Sequence, residues 1–153
     1  MLILFLDFDG VLRRKNSPLY KLETNLVTNF EEALRAFPEV RIVITSSWRE
    51  AFGLNEIRML FSTDIAVRIL GFTPRSLDLQ DFYRFREVLA YLKRFHTLQT
   101  PWMAVDDDPE HYPHDAPVLL VDPTRGLDAE MAIELRVRLA NCMSKVNIST
   151  PNS

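Results

Sequence analysis

Apolar residues fall along this chain in short unbroken runs that alternate with amphipathic stretches. Leu2–Leu6, Val40–Thr45, Trp102–Val105 and Val118–Val121 are continuous runs bounded by polar or turn residues, which suits strands buried on both faces. Between Asn25 and Phe37, apolar residues at Leu26, Val27, Phe30, Ala33, Leu34 and Phe37 form a helical stripe that Pro38 stops. Leu54–Phe61 reads as a further helix, Val67–Phe72 as a short strand ended by Thr73-Pro74, and Asp81–Phe95 as a strongly amphipathic helix. Ser46 and Ser47 offer N-cap hydroxyls to a helical turn over Trp48–Phe52. Gly126-Leu127 leads into a last helix to about Met143. The alternation predicts one α/β domain over residues 1–144 with a flexible tail over 145–153. Its sheet is mainly parallel and flanked by helices, with the ligand site at the carboxyl edge of the strands.

Composition narrows the function classes. At 153 residues, 47% hydrophobic and 25% charged, the chain is an ordinary globular domain rather than a disordered one. A net charge of -3 argues against a general nucleic-acid coat protein while leaving room for a local basic patch. The single cysteine, Cys142, excludes an internal disulfide framework and a multi-cysteine zinc site. No apolar run approaches the ~20 residues that span a bilayer. The apolar start meets Asp7 and Asp9 too soon for a signal peptide, so a reducing, cytoplasmic setting without a membrane partner is expected.

Three of the predicted strands end in polar groups: Leu6 in Asp7-Phe8-Asp9, Thr45 in Ser46-Ser47, and Val105 in Asp106-Asp107. A parallel sheet brings such ends to one crevice. Carboxylates gathered there repel one another unless a cation sits among them. Mg²⁺ meets that demand with one or two carboxylates, waters and a phosphate oxygen.

The run Asp7-Phe8-Asp9-Gly10-Val11-Leu12 resembles the first motif of the haloacid dehalogenase (HAD) superfamily of phosphohydrolases. Ile42-Val43-Ile44-Thr45-Ser46 resembles the second, and Ala104-Val105-Asp106-Asp107 the acidic fourth. The 39 residues from Asp7 to Ser46 and 61 from Ser46 to Asp107 fit a Rossmannoid member with little or no cap. Ser46-Ser47-Trp48-Arg49, Gly71-Phe72-Thr73-Pro74 and Gly126-Leu127 are similar to the HAD domain of Swiss Army Knife RNA repair proteins.

The resemblance implies roles. Asp7 is the nucleophile that forms an aspartyl-phosphate, and Asp9 is the general acid and then base, its backbone carbonyl also binding the metal. Ser46 donates to a phosphoryl oxygen, with the Ser47 backbone N–H beside it; simple N-capping is the plainer reading and is compatible. Asp107 is a direct Mg²⁺ ligand and Asp106 a water-mediated partner, with the register open by one residue because Asp108 follows. The phosphate-balancing cation has no matching lysine. Arg84, three residues before Glu87 as in the relatives, is preferred over Arg86, with Arg75 and Arg49 behind them. Arg13, with Arg14 and Lys15, is placed to meet an anionic substrate, and Arg49 follows Trp48 beside the site; a solvated loop and a structural ion pair are the plain alternatives.

The function expected is therefore a Mg²⁺-dependent phosphatase. Its substrate is a phosphate ester, with polynucleotide ends favoured because so small a domain leaves space only for a loop-sized lid. The alternative is a catalytically weak module that binds phosphorylated ligands or a protein partner. A phospho-acceptor receiver domain fits poorly, because its acceptor follows the third strand. Zinc on His111 and His114 lacks a third ligand. Oligomeric state is left open.

Overall fold

The computed structural model describes residues 1–76 and 80–149, with side chains through 146. Five strands form one parallel sheet: β1 (Leu2–Leu6), β2 (Val40–Ile44), β3 (Ile69–Phe72), β4 (Trp102–Asp106) and β5 (Val118–Leu120), in the order β3-β2-β1-β4-β5. The helices are α1 (Thr24–Arg35), α2 (Leu54–Arg58), α3 (Thr63–Ala66), α4 (Tyr83–Phe95) and α5 (Ala129–Ser149). Short 3₁₀ turns cover Ser47–Glu50 and Pro109–His111.

The period of two along a strand decides which helix each residue meets. Leu2, Leu4 and Leu6 join Ile42, Ile44, Met103 and Val105 in a core completed by Phe30 and Leu34 of α1, Ile57, Ile65 and Leu135. Ile3, Phe5, Val43 and Ala104 point to the other face, where α4 supplies Val88, Tyr91 and Leu92. Both faces of β1 are thus covered, which is why its sequence is apolar throughout.

The chain leaves β1 toward β2 and β3 on one side, then returns to place β4 and β5 on the other. Such a reversal opens a crevice at the carboxyl ends of the central strands. The register puts Leu6 opposite both Ile44 and Val105. The ladder continues one step further, with Thr45 N–H donating to Leu6 O (2.9 Å) and Asp7 N–H to Val105 O (3.1 Å). Asp7, Thr45 and Asp106 therefore emerge at one level, with Ser46 one residue further along.

Three differences from the sequence reading have local causes. The helix expected over Leu54–Phe61 stops at Arg58, whose guanidinium turns to cap Ile69 O (2.6 Å). A separate turn, α3, follows because Glu31 accepts from both the N–H and the hydroxyl of Ser62. The strand expected from Val67 begins at Ile69, since Val67 and Arg68 still close the α3 turn. The last helix runs on past Met143 to Ser149, so its backbone is helical where a tail was expected from Lys145. Residues 150–153 lie outside the described residues. Among the described residues no helix is long and apolar enough to cross a membrane.

Candidate active site

Asp7 is the first residue beyond β1 and is almost wholly buried. One of its carboxylate oxygens accepts the Phe8 N–H at 2.9 Å. Asp7, Asp106 and Asp107 each bring an oxygen to within 4.8 Å of the others. Burial is the largest cause that holds the Asp7 carboxyl well above its ordinary range. The charges of Asp106 and Asp107 push the same way, and the Arg84 guanidinium opposes them. Asp107 is raised to about 6, by burial first and Asp106 second, with the Lys15 ammonium opposing. An all-oxygen, self-repelling donor set of this kind fits a hard divalent cation such as Mg²⁺.

Asp106 and Asp107 are not equivalent. Asp106 is fully buried and its oxygens are already engaged: Oδ1 accepts from Asp108 N–H (2.8 Å), and His111 Nδ1 lies 2.9 and 3.0 Å from the two oxygens. Asp107 is less engaged, with the exposed Lys15 ammonium 3.8 Å from Oδ2. Gly10 makes room for it. Its φ is +80°, and a Cβ there would lie 2.3 Å from Asp107 Oδ2.

Asp9 stands apart from the carboxylate cluster. Its side chain is 41% exposed, Oδ1 accepts the indole N–H of Trp48 at 3.1 Å, and Arg13 Nε is 3.4 Å away. Arg13 is buried and donates to Arg14 O, so it supports Asp9 from within rather than reaching out from a solvated loop. Ser46 is fully buried, and its hydroxyl oxygen accepts the Trp48 N–H (3.2 Å), which leaves its own proton to donate. Ser47 is exposed at the start of the 3₁₀ turn.

On the α4 side, Arg84 is buried and donates to Glu87 Oε1 at 3.0 Å. Its burial lowers its pKa, but the charges of Asp7 and Glu87 raise it further, so it is firmly cationic. The other oxygen of Glu87 takes Arg49 Nη2, whose Nη1 donates to both the carbonyl and the hydroxyl of Thr73. One buried carboxylate thus ties α4 to the turn after β2. The Nε of Arg84, the Nε of Arg49 and the Thr45 hydroxyl are buried without a hydrogen-bond partner. Arg86 is only partly buried, and Arg75 is exposed and pairs with Glu50.

Four contributors escaped the sequence reading: Glu87 as a bridge, Thr73, Trp48 as the holder of Asp9, and His111 as the partner of Asp106. Their pairings join elements 24 to 39 residues apart, or hang on a ring orientation, and leave no periodic trace. His111 Nε2 lies 3.0 Å from the Tyr83 hydroxyl and 3.3 Å from Asp108. Among the described residues no histidine joins a metal-ligand cluster.

Residues 3–132 match the family described as the HAD domain in Swiss Army Knife RNA repair proteins. Among solved structures, the HAD domain of effector protein Lem4 from Legionella pneumophila is similar in fold. Its TM-score is 0.54 at 18% identity, over 94% of this chain and 96% of that one. No curated protein matches.

Proposed function

The chain belongs to the family of HAD domains found in Swiss Army Knife RNA repair proteins, and from that premise we propose that it is a Mg²⁺-dependent phosphomonoesterase acting on phosphorylated polynucleotide ends through an aspartyl-phosphate on Asp7. The observation that carries the reading is the convergence of Asp7, Asp106 and Asp107 at the crevice, with the buried Arg84 cation acting on Asp7. Asp7, Asp107 and the Asp9 carbonyl would hold Mg²⁺, with Asp106 behind a water; when bound it withdraws charge from the phosphoryl oxygens.

Asp7 attacks phosphorus with its oxygen that carries no hydrogen bond from Phe8 N–H, and the ester P–O bond breaks. Asp9 gives its proton to the leaving oxygen, then takes one from the water that cleaves the Asp7–phosphoryl bond and releases phosphate. Trp48 holds Asp9 on the solvent side, where a leaving group arrives and departs. Ser46 O–H and the Arg84 guanidinium receive the phosphoryl oxygens, and their preorganisation means that little reorganisation is needed at the transition state. Polynucleotide ends are favoured because, among the described residues, no inserted cap covers the crevice, so the substrate itself must exclude water.

The test is a screen of sugar phosphates, nucleotides, phosphopeptides and 3′- or 5′-phosphorylated oligonucleotides, run beside Asp7→Asn and beside chelated enzyme. Turnover that Asp7→Asn and chelation both abolish, and that Mg²⁺ restores, is the expected result. Full activity in either condition removes the mechanism.

A further inference from the structure

The segment from Gly10 to Glu23, between β1 and α1, touches both flanks of the crevice. On the β4 flank Lys15 reaches Asp107, and its backbone N–H bonds Pro123 O at 2.9 Å. On the β2 flank Tyr20 sets its ring edge-on against Trp48 (5.5 Å) and Phe52 (5.6 Å). Trp48 is the indole that holds Asp9. Tyr20 is therefore one ring removed from the carboxylate assigned to the leaving oxygen.

Core packing does not account for Tyr20. It is 58% exposed, and its φ of 55° lies in the left-handed region, which bulky residues enter only where their surroundings impose it. Its segment carries Arg13, Arg14, Lys15 and Lys21 against a single acid, Glu23. Arg13 is buried, Arg14 is paired with Glu23 and Lys15 reaches Asp107, which leaves the exposed Lys21 as the outward charge beside Tyr20. The cleft on the opposite side of the sheet, about 520 Å³ beside Phe82 and Tyr112, is lined by Asp81 and Glu110 and, among the described residues, by no lysine or arginine. A polyanion is repelled there and drawn to the Tyr20 side.

We infer that Tyr20 recognises the leaving group by stacking on the terminal base of a phosphorylated single strand, with the adjacent Lys21 taking the backbone phosphate that follows. The inference rests on the function proposed above. Aromatic stacking suits ends of any sequence, because every base has a π-face.

The experiment compares the full chain with Tyr20→Ala and Tyr20→Phe on phosphorylated oligonucleotides that carry either a terminal base or a terminal abasic sugar. Mg²⁺ is present, and circular dichroism checks the fold. The wild type should prefer the base-bearing end. Tyr20→Ala should reduce that preference about tenfold, through KM rather than kcat, and Tyr20→Phe should restore it. Binding is read in parallel from quenching of tryptophan emission by the same oligonucleotides, in a Trp102→Phe background that leaves Trp48 as the emitter. Absent turnover with base-dependent binding intact sinks the phosphatase reading and keeps this one. Binding and KM indifferent to the base, an unchanged preference in Tyr20→Ala, or a stronger preference for a phosphotyrosine peptide overturns it.

Discussion

Glu87 and the two arginines it holds form a set in which each member depends on the others. All three side chains are at most 9% exposed, and the two guanidinium groups share one carboxylate. Removing one partner of a buried pair strands charge in a poorly solvated place, which costs roughly 3–5 kcal/mol. Glu87→Ala should therefore lower stability by about that amount, read from urea unfolding, while Glu87→Gln, which keeps hydrogen-bond acceptance at one atom, should lose less. Arg84→Ala separates stability from chemistry. It leaves Glu87 paired with Arg49 but removes the cation acting on Asp7, so kcat should fall about 100-fold with a smaller change in unfolding midpoint. Arg86→Ala should be milder, and the reverse ranking would move the phosphate-balancing role to Arg86. At this scale the sequence discloses the groups proposed to react better than their supports. Asp7, Ser46 and Asp107 stand at strand ends, where an apolar run meets a polar residue. Glu87 and His111 lie in stretches where an acid or a histidine reads equally well as surface.

The strand ends act as a unit because the register aligns Leu6 with Ile44 and Val105, and the departure from β1 is what lets Asp107 approach. Gly10 is the tight point of that departure. Alanine there would add left-handed strain of about 1–2 kcal/mol and a methyl group 2.3 Å from Asp107 Oδ2. Gly10→Ala should thus weaken Mg²⁺ binding at least tenfold, by analogy with other changes around metal ligands. Calorimetric titration with Mg²⁺ checks this, with circular dichroism showing the sheet retained; unchanged affinity would remove Asp107 from the metal site. Long periodic elements were readable: β1, α1, β2, α4, β4 and β5 fall within two residues of the bounds their patterns predict. The stretch from Leu54 to Phe72 was not, because side chains settle it. Arg58 capping Ile69 and Glu31 capping Ser62 divide one apparent helix into two and delay the strand. Such caps come from residues distant in sequence, which periodicity cannot see.

For the molecule as a whole, the carboxylate cluster is a source of self-repulsion that a bound cation would relieve. Metal-free, Asp107 has its pKa raised from 3.8 to about 6, and Asp7 is raised as well. A carboxyl with a raised folded-state pKa favours the folded state while protonated. That contribution is fully present below the unfolded value of 3.8 and is lost as the pH rises through about 6. Glu23, Asp64 and Asp122 shift downward and act with the opposite sign, but Asp64 and Asp122 are exposed and solvent-screened, and the effect of all three lies at lower pH. In chelator, then, Tm should fall between pH 5 and pH 7. Mg²⁺ bound as proposed would compete with these protons, so its stabilisation should be larger at pH 7 than at pH 5. At a hundredfold excess over Kd that gain is about 2.7 kcal/mol, or roughly 5–10 °C of Tm for a domain of this size. Asp107→Asn should reduce both the pH slope in chelator, to which Asp7 and the upward-shifted His111 also contribute with the same sign, and the response to Mg²⁺, while an exposed control such as Asp64→Asn leaves both in place. Differential scanning fluorimetry over pH 5–7, with and without Mg²⁺, reads all of these. A Tm in chelator that rises steadily to pH 7, with no greater Mg²⁺ effect there, would mean that the three carboxylates do not act as one repelling cluster.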